Sequence, residues 1–257
     1  MSLKGKVAVV SGSSAGIGAA IAKELSARGA TVAINYPFPG EKENADTVLK
    51  SLGPEATAIT VEADLSTFEG PKLLAKAVKE AFGKIDILVN NAGVVLTSEL
   101  DEPDDKVFAE IWDKSINLNG RGTLLLTRAC LPYLNHQNSR IINITSGITR
   151  AAGPKQSIYA GSKGIIDSFT RCWAKDLPPK YGCTVNAVAP GPIETESLLA
   201  TPKEVQDDLI PVIQNTPVAK RLGKPDEVAY AVAVLCEDRS GWINGAWIPV
   251  TGGFVLS

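Results

Sequence analysis

The chain has no excess of charge of either sign: 26 Lys and Arg against 28 Asp and Glu leave a net charge of −2 over 257 residues. That gives a polyanion no electrostatic footprint, and nucleic acid is not expected as a partner. There is a single histidine, His136, in the run His136-Gln137-Asn138-Ser139 after a predicted helix end, where it reads as a surface loop residue. The four cysteines, Cys130, Cys172, Cys183 and Cys236, show neither metal-ligand nor redox-pair spacing, so they read as reduced core thiols and no metal site is expected. No apolar run approaches the ~20 residues that a membrane-spanning helix needs. Met1 to Lys6 leads into an apolar strand without a signal-type stretch. A cytoplasmic setting and no membrane partner are the expectations, and no repeat, low-complexity tract or linker divides the chain.

What is present is enough apolar material, 44% of residues, for one large core, and the whole span 1–257 reads as a single domain. Short β-rich runs alternate with helix-forming stretches: Val7-Ala8-Val9-Val10, then Ala19 to Ala27; Thr31 to Asn35, then Lys42 to Leu52; Ala58 to Glu62, then Pro71 to Phe82. The pattern continues with strands over Ile85 to Val89, Arg140 to Thr145 and Thr184 to Ala189, and a last strand within Gly241 to Val250. Helices are expected around Asp105 to Lys114, Leu124 to Leu134 and Tyr159 to Asp176. Such alternation predicts an α/β fold: a Rossmann-type, doubly wound parallel sheet of about seven strands, with helices on both faces and ligands at the carboxyl ends of the strands.

The first strand runs into Ser11-Gly12-Ser13-Ser14-Ala15-Gly16-Ile17-Gly18 at a strand-to-helix turn. Gly12, Gly16 and Gly18 allow a tight turn, close approach to a pyrophosphate and close packing of the helix, whose N-terminus supplies N–H groups and positive dipole. The spacing is Gly-x-x-x-Gly-x-Gly rather than Gly-x-Gly-x-x-Gly, so the strand-loop-helix setting carries the dinucleotide reading. A cofactor with a free ribose 2′-hydroxyl usually finds Asp or Glu at the end of the second strand. Here that end is Asn35-Tyr36-Pro37-Phe38, with no carboxylate before Glu41. The missing acid favours a 2′-phosphate, hence NADP(H), with NAD possible. No arginine accompanies it, and Ser13, Ser14, Asn35, Tyr36 and Lys42 are the polar groups near the expected phosphate. Asp64, at the end of the third strand, is placed to accept from an adenine amino group or to cap a turn. Asn90-Asn91-Ala92-Gly93 follows the fourth strand, and its small and amide residues permit close approach of the cofactor.

Ser157-Ile158-Tyr159-Ala160-Gly161-Ser162-Lys163 sets a phenol and an ammonium four residues apart, on one face if the stretch is helical. A fixed cation beside a phenol favours the phenolate and lowers its pKa. Ser146, delivered by the end of the fifth strand, is placed to orient the oxygen that exchanges the proton. After the sixth strand comes Pro190-Gly191-Pro192-Ile193-Glu194-Thr195. The segment 192–215, with Leu198, Leu199, Leu209 and Ile210, reads either as a substrate flap suited to a hydrophobic ketone or as an ordinary short helix packed by these leucines. Arg150, in a loop near Ser146, faces either an anionic substrate or solvent.

Together Gly12-x-x-x-Gly16-Ile17-Gly18, Asn90-Asn91-Ala92-Gly93, Asn117, Ser146, Tyr159-x-x-x-Lys163, Pro190 to Thr195 and Gly252-Gly253 resemble the short-chain dehydrogenase/reductase family over nearly the whole chain. The resemblance implies that Tyr159 is the acid-base, that Lys163 lowers its pKa and holds the nicotinamide ribose, and that Ser146 orients the substrate oxygen. It makes Asn117 the anchor of a water leading to Lys163, and Thr195 the partner of the nicotinamide carboxamide. Asp64, Leu65, Asn91, Ala92, Gly93, Pro190, Gly191 and Ile193 would line the cofactor. Ser11 in place of Thr, a non-basic 2′ region and Thr251 before Gly252-Gly253 depart from the family pattern. Within the family the chain is similar to fungal hydroxynaphthalene and versicolorin-type ketoreductases and to 3-oxoacyl reductases. A ketone or alcohol is then the substrate and a homotetramer or homodimer the assembly. An NAD-dependent alcohol or polyol dehydrogenase, or a cofactor-retaining sensor on the same fold, is the alternative.

Overall fold

Alternation within the strands sorts their side chains to two sides of one sheet, as the period of two requires. In β1 (Val7–Val10), Ala8 and Val10 join one apolar cluster while Val7 and Val9 join another, and all four residues are buried. The computed structural model describes residues 2–201 and 203–256. Its strands are β1, β2 (Thr31–Tyr36), β3 (Ala58–Glu62), β4 (Ile87–Asn90), β5 (Ser139–Ile144), β6 (Cys183–Pro190) and β7 (Trp247–Val250). They form one parallel sheet in the order β3-β2-β1-β4-β5-β6-β7, the doubly wound arrangement expected. Burial on both faces explains why the central strands read as continuous apolar runs.

The first cluster is closed by α1 (Gly16–Ala27) and α2 (Lys42–Ser51), and later by the helix over Pro225–Cys236, with Ile21, Leu25, Val48 and Val232 among its members. The second is closed by α3 (Gly70–Phe82), by α5 (Thr123–Cys130) after α4 (Asp105–Ser115), and by α6 (Ser157–Asp176). Leu74, Val78, Leu126 and Ala174 belong to it. Each fully buried Leu, Ile or Val contributes about 1.5–3 kcal/mol relative to exposure, which makes these two layers the main source of stability. The short α7 (Pro178–Tyr181) leads into β6. Then α8 (Glu196–Leu199), α9 (Lys203–Asp207) and α10 (Ile210–Asn215) form the segment before α11 (Pro225–Cys236).

Several boundaries differ from those the sequence suggests. Ile85 makes only an isolated bridge to Leu134, so β4 starts at Ile87. Pro132 turns the end of the expected Leu124–Leu134 helix into a 3₁₀ turn at Leu131–Tyr133. Asn244 accepts from the Val185 backbone N–H at 2.9 Å and Gly245 takes a positive φ, so the chain turns there and β7 begins at Trp247. Between α4 and α5 the helix does not break at Asn117-Leu118-Asn119-Gly120 but widens into a π-helical segment, Ile116–Gly122.

Cys130, Cys183 and Cys236 are buried free thiols, their pKa values pushed by burial to about 12, 11 and 12. Cys172 corrects the core-thiol expectation: it is exposed on α6. His136 is an exposed loop residue with its ring edge-on to Tyr181. Among the described residues no helix is long and apolar enough to cross a membrane, and no group of three His, Cys, Asp or Glu side chains is placed to hold a metal.

Candidate active site

Strand order reverses at β1, which lies between β2 and β4. That is where an open α/β sheet leaves a crevice at the carboxyl ends of its strands. Into it project the loop after β1 and the loop after β4, and a web of short bonds holds them together. The Ser11 hydroxyl donates to the Val89 carbonyl at 3.2 Å and accepts from the Asn91 and Ala92 backbone N–H groups at 2.9 and 3.0 Å. Asn91 in turn donates its amide to the carbonyls of Ser11 and Gly12 at 2.9 and 3.0 Å. Serine in place of threonine at position 11 therefore keeps the hydroxyl that ties the loops.

The glycines are required by contact as well as by turn geometry. A Cβ on Gly12 would sit 2.9 Å from the Cα of Ala92, and one on Gly18 would sit 2.2 Å from the Gly12 carbonyl oxygen. Gly12 and Gly16 also adopt positive φ, which favours glycine. Helix α1 begins at Gly16, after Ala15, with no side chain capping it and no acid in its first turn. Its leading N–H groups and positive dipole are thus left for an anion, and this cradle fits the pyrophosphate of a dinucleotide. Thr195, which caps α8 by accepting from the Leu198 N–H at 3.3 Å, reaches across so that its methyl lies 3.4 Å from where a Cβ on Gly16 would be.

Two residues assigned to the cofactor by sequence are spent on the fold. The Ser13 hydroxyl donates to the Val10 carbonyl at 2.7 Å and accepts from the Asn35 N–H at 3.0 Å, wholly buried. Asn35 is 2% exposed; its Oδ1 accepts from the Gly12 N–H at 3.0 Å and its Nδ2 donates toward the carbonyls of Tyr36, Val61 and Ala63. It is a brace between the glycine loop and the ends of β2 and β3. Tyr36 is likewise buried, whereas Ser14 reaches outward to Glu41. Asp64 uses Oδ1 to accept from the Ser66 N–H and hydroxyl at 2.9 and 2.7 Å, a turn-forming role, with the rest of its exposed side chain at the cleft rim.

The second half of the site is gathered by β5 and α6. Ser146 follows β5 and caps a 3₁₀ turn, its hydroxyl accepting from the Ile148 N–H at 3.2 Å. Tyr159 stands on the first turn of α6, half-buried, and Lys163, one turn on, is 4% exposed. Burial raises the Tyr159 phenol above its ordinary value, and a hydrogen bond with Ser146 acts in the opposite sense. Sequence reasoning gave the lowering to Lys163. Instead the ammonium is turned to the Ile144 carbonyl, to which it donates at 3.0 Å, and burial depresses its own pKa to about 8 against an opposing influence of Asp167.

Asn117 is not part of this cluster; Asn119 is. A Cβ on Gly93 would lie 3.1 Å from Asn119 Oδ1 and 3.2 Å from Lys163 Nζ, so the amide and the ammonium face the same small space. Asn119 is fully buried, donates to the Val94 carbonyl and the Ser162 hydroxyl at 3.0 and 2.9 Å, and accepts from the Val94 N–H at 2.8 Å. The widened helical segment turns position 119 inward and leaves 117 half-buried. The glycines at 120 and 122, where a Cβ would meet Ile165 and the Leu65 carbonyl, are the sequence signal of that close packing. Arg150 is exposed, and its guanidinium stacks 4.0 Å over the Trp247 ring, against β7.

A family model described as enoyl-(acyl carrier protein) reductase matches residues 12–255, a span that takes in Gly12 to Gly18, Asn91, Asn119, Ser146, Tyr159, Lys163 and Thr195. The chain belongs to the short-chain dehydrogenase/reductase family. It is 38% identical to the short-chain dehydrogenase/reductase FrzI of Cladobotryum sp., over 99% of this chain and 97% of that one. It is 37% identical to versicolorin reductase 1 of Aspergillus parasiticus, over 98% and 97% of the two chains. A short-chain dehydrogenase from Burkholderia cenocepacia, solved in complex with NADP, superposes with a TM-score of 0.89 at 34% identity, covering 99% of each chain. As a member of this family, the protein is an oxidoreductase with a fold that binds nicotinamide cofactors and acts on small molecules.

Beside the cleft, Gly191, Ile193, Val212, Thr216, Val218 and Thr251 contribute to the lining of a cavity of about 220 Å³. The Ile193–Gly223 bridge joins the base of the 192–215 segment to the turn before α11. Gly191 donates its N–H to the Val250 carbonyl at 3.0 Å, and a Cβ there would press on the Thr251 backbone at 3.2 Å.

Proposed function

We propose that the protein transfers a hydride between a nicotinamide dinucleotide and the carbonyl of a hydrophobic ketone, chiefly in the reducing direction, with Tyr159 exchanging the proton. The observation that carries this reading is the convergence of Ser146, Tyr159 and Lys163 beside the glycine cradle. When bound, the dinucleotide supplies the hydride. Tyr159 delivers its phenolic proton to the substrate oxygen, so that negative charge does not accumulate there. Ser146, beside the phenol, holds that oxygen in line. Lys163, with a pKa brought down to about 8, is poised near neutrality to favour the phenolate once it is free to face it. Asn119 replaces Asn117 as the amide that positions Lys163 through the space at Gly93.

The preference for an apolar ketone rests on the 192–215 segment, read as a substrate flap. Leu199 and Ile210 on α8 and α10 are 52% and 48% exposed, more apolar surface than short helices need for their own packing. The relative named versicolorin reductase 1 gives the same direction of reaction. From sequence the end of β2 argued for NADP(H), and one structural neighbour was solved with NADP, whereas the return of Glu41 to the Ser14 hydroxyl argues for NAD(H). Assembly into a homodimer or homotetramer is proposed from Trp242, 98% exposed beside the C-terminal strand, whereas Trp247 packs within the chain under Arg150. A sedimentation run that returned a monomer would dismiss it.

The test is steady oxidation of reduced dinucleotide with a panel of aryl and alkyl ketones. Turnover of aryl ketones supports the proposal. Tight cofactor binding with no turnover of any ketone or alcohol would favour a sensor; turnover confined to alcohol oxidation with NAD would favour an alcohol or polyol dehydrogenase.

A further inference from the structure

The position at which an open α/β sheet usually places its ribose-reading acid is the end of β2. Here that end holds Asn35, whose amide is consumed by the Gly12 N–H and by three backbone carbonyls. The chain then doubles back: Phe38 is extended, and a 3₁₀ turn over Pro39–Glu41 returns it toward the glycine loop. The result is a contact that strand-end spacing does not show. Glu41 Oε2 accepts from the Ser14 hydroxyl at 3.1 Å, and from the Asn44 amide, also at 3.1 Å. Ser14 is 9% exposed and lies in the glycine loop, so the carboxylate is held at the rim of the cradle that fits a pyrophosphate.

We propose that Glu41, held against Ser14, selects a dinucleotide with a free ribose 2′-hydroxyl, so that this protein prefers NAD(H) to NADP(H). The inference rests on the reading that the cleft binds a nicotinamide dinucleotide at all. Three features support the choice. Oε1 of Glu41 takes no hydrogen bond among the described residues, which leaves an acceptor for a ribose hydroxyl. A 2′-phosphate arriving there would meet a like charge at short range. The neighbouring cation is already committed: the Lys42 ammonium donates to both carboxylate oxygens of Asp46 at 3.0 and 2.7 Å.

The experiment is equilibrium titration of the purified protein with NADH and with NADPH, followed by calorimetry, for the wild type, Glu41→Gln and Lys42→Ala. The wild type is expected to bind NADH about tenfold or more tightly than NADPH, and Glu41→Gln to bring the two dissociation constants within about twofold, chiefly by tightening NADPH. That tenfold ratio corresponds to about 1.4 kcal/mol. Lys42→Ala should leave the ratio unchanged. Tighter binding of NADPH by the wild type, an unchanged ratio in folded Glu41→Gln, or selective loss of NADPH in Lys42→Ala would each overturn the role of Glu41. Binding of neither dinucleotide by any variant would overturn the dinucleotide reading along with it.

Discussion

The Lys163 ammonium donates to the backbone carbonyl of Ile144 at 3.0 Å from a position only 4% exposed. This cation is therefore held against the end of β5, out of water.

That storage has a pH signature. The folded pKa of Lys163 is lowered from 10.5 to about 8 by burial. Between these values the unfolded chain holds a proton that the folded one does not, so the contribution of Lys163 to stability rises with pH. Its destabilising effect is complete below about pH 8 and fades toward about pH 10. Urea unfolding of wild type and Lys163→Met across that window should show the wild type gaining about 2 kcal/mol relative to the variant. Parallel curves would mean that the ammonium is not desolvated.

Tyr159→Phe removes the proton and little else, because the ring remains packed on α6. Its kcat should fall about 10³-fold, the usual scale of a general acid, while the dissociation constant for the dinucleotide stays within about twofold. Single-turnover kinetics with a saturating cofactor would check it. Undiminished kcat would end the acid-base assignment.

Asn119→Ala strips a buried bridge between Val94, Ser162 and the space shared with Lys163. Leaving those partners unpaired should cost about 3 kcal/mol in denaturant unfolding and reduce kcat. Asn117→Ala, at a half-buried position without a side-chain hydrogen bond among the described residues, should change stability by less than about 0.5 kcal/mol. Equal effects of the two substitutions would refute the assignment of Asn119.

Gly18→Ala pushes a methyl to 2.2 Å from the Gly12 carbonyl and 2.5 Å from the Asn91 amide nitrogen. Neither can yield without opening the tie between the two loops. A loss of about 3 kcal/mol or more is expected, with weakened dinucleotide binding in whatever fraction folds. Calorimetric melting beside a binding titration separates the two effects; an unperturbed variant would show that the loops are not tightly braced.

The residues that reacted to local rules were readable one after another. Glycines at a strand-to-helix turn, Tyr159 four before Lys163 and Ser146 after an apolar strand each depend on spacing within one element, and each lies where the spacing implied. Asn117 and Asn119 were not separable in that way. Two amides two residues apart point in different directions, and the choice between them turned on a widened helical turn in which Gly120 and Gly122 lie against Ile165 and Leu65. Glu41 escaped for a related reason: the rule searched the end of β2, and the acid arrives by a backward turn.

The amino-acid order alone determined the doubly wound parallel sheet, because strand and helix periodicities and turn glycines act over a few residues. The tertiary structure alone decided which polar groups remain free for chemistry. Ser13 and Asn35 were absorbed by backbone groups from other strands, while Ser14, Glu41, Asn119 and Lys163 met partners distant in the chain. A hydrogen bond satisfied by a distant strand leaves no trace in local spacing, and that satisfaction separates a brace from a binding group.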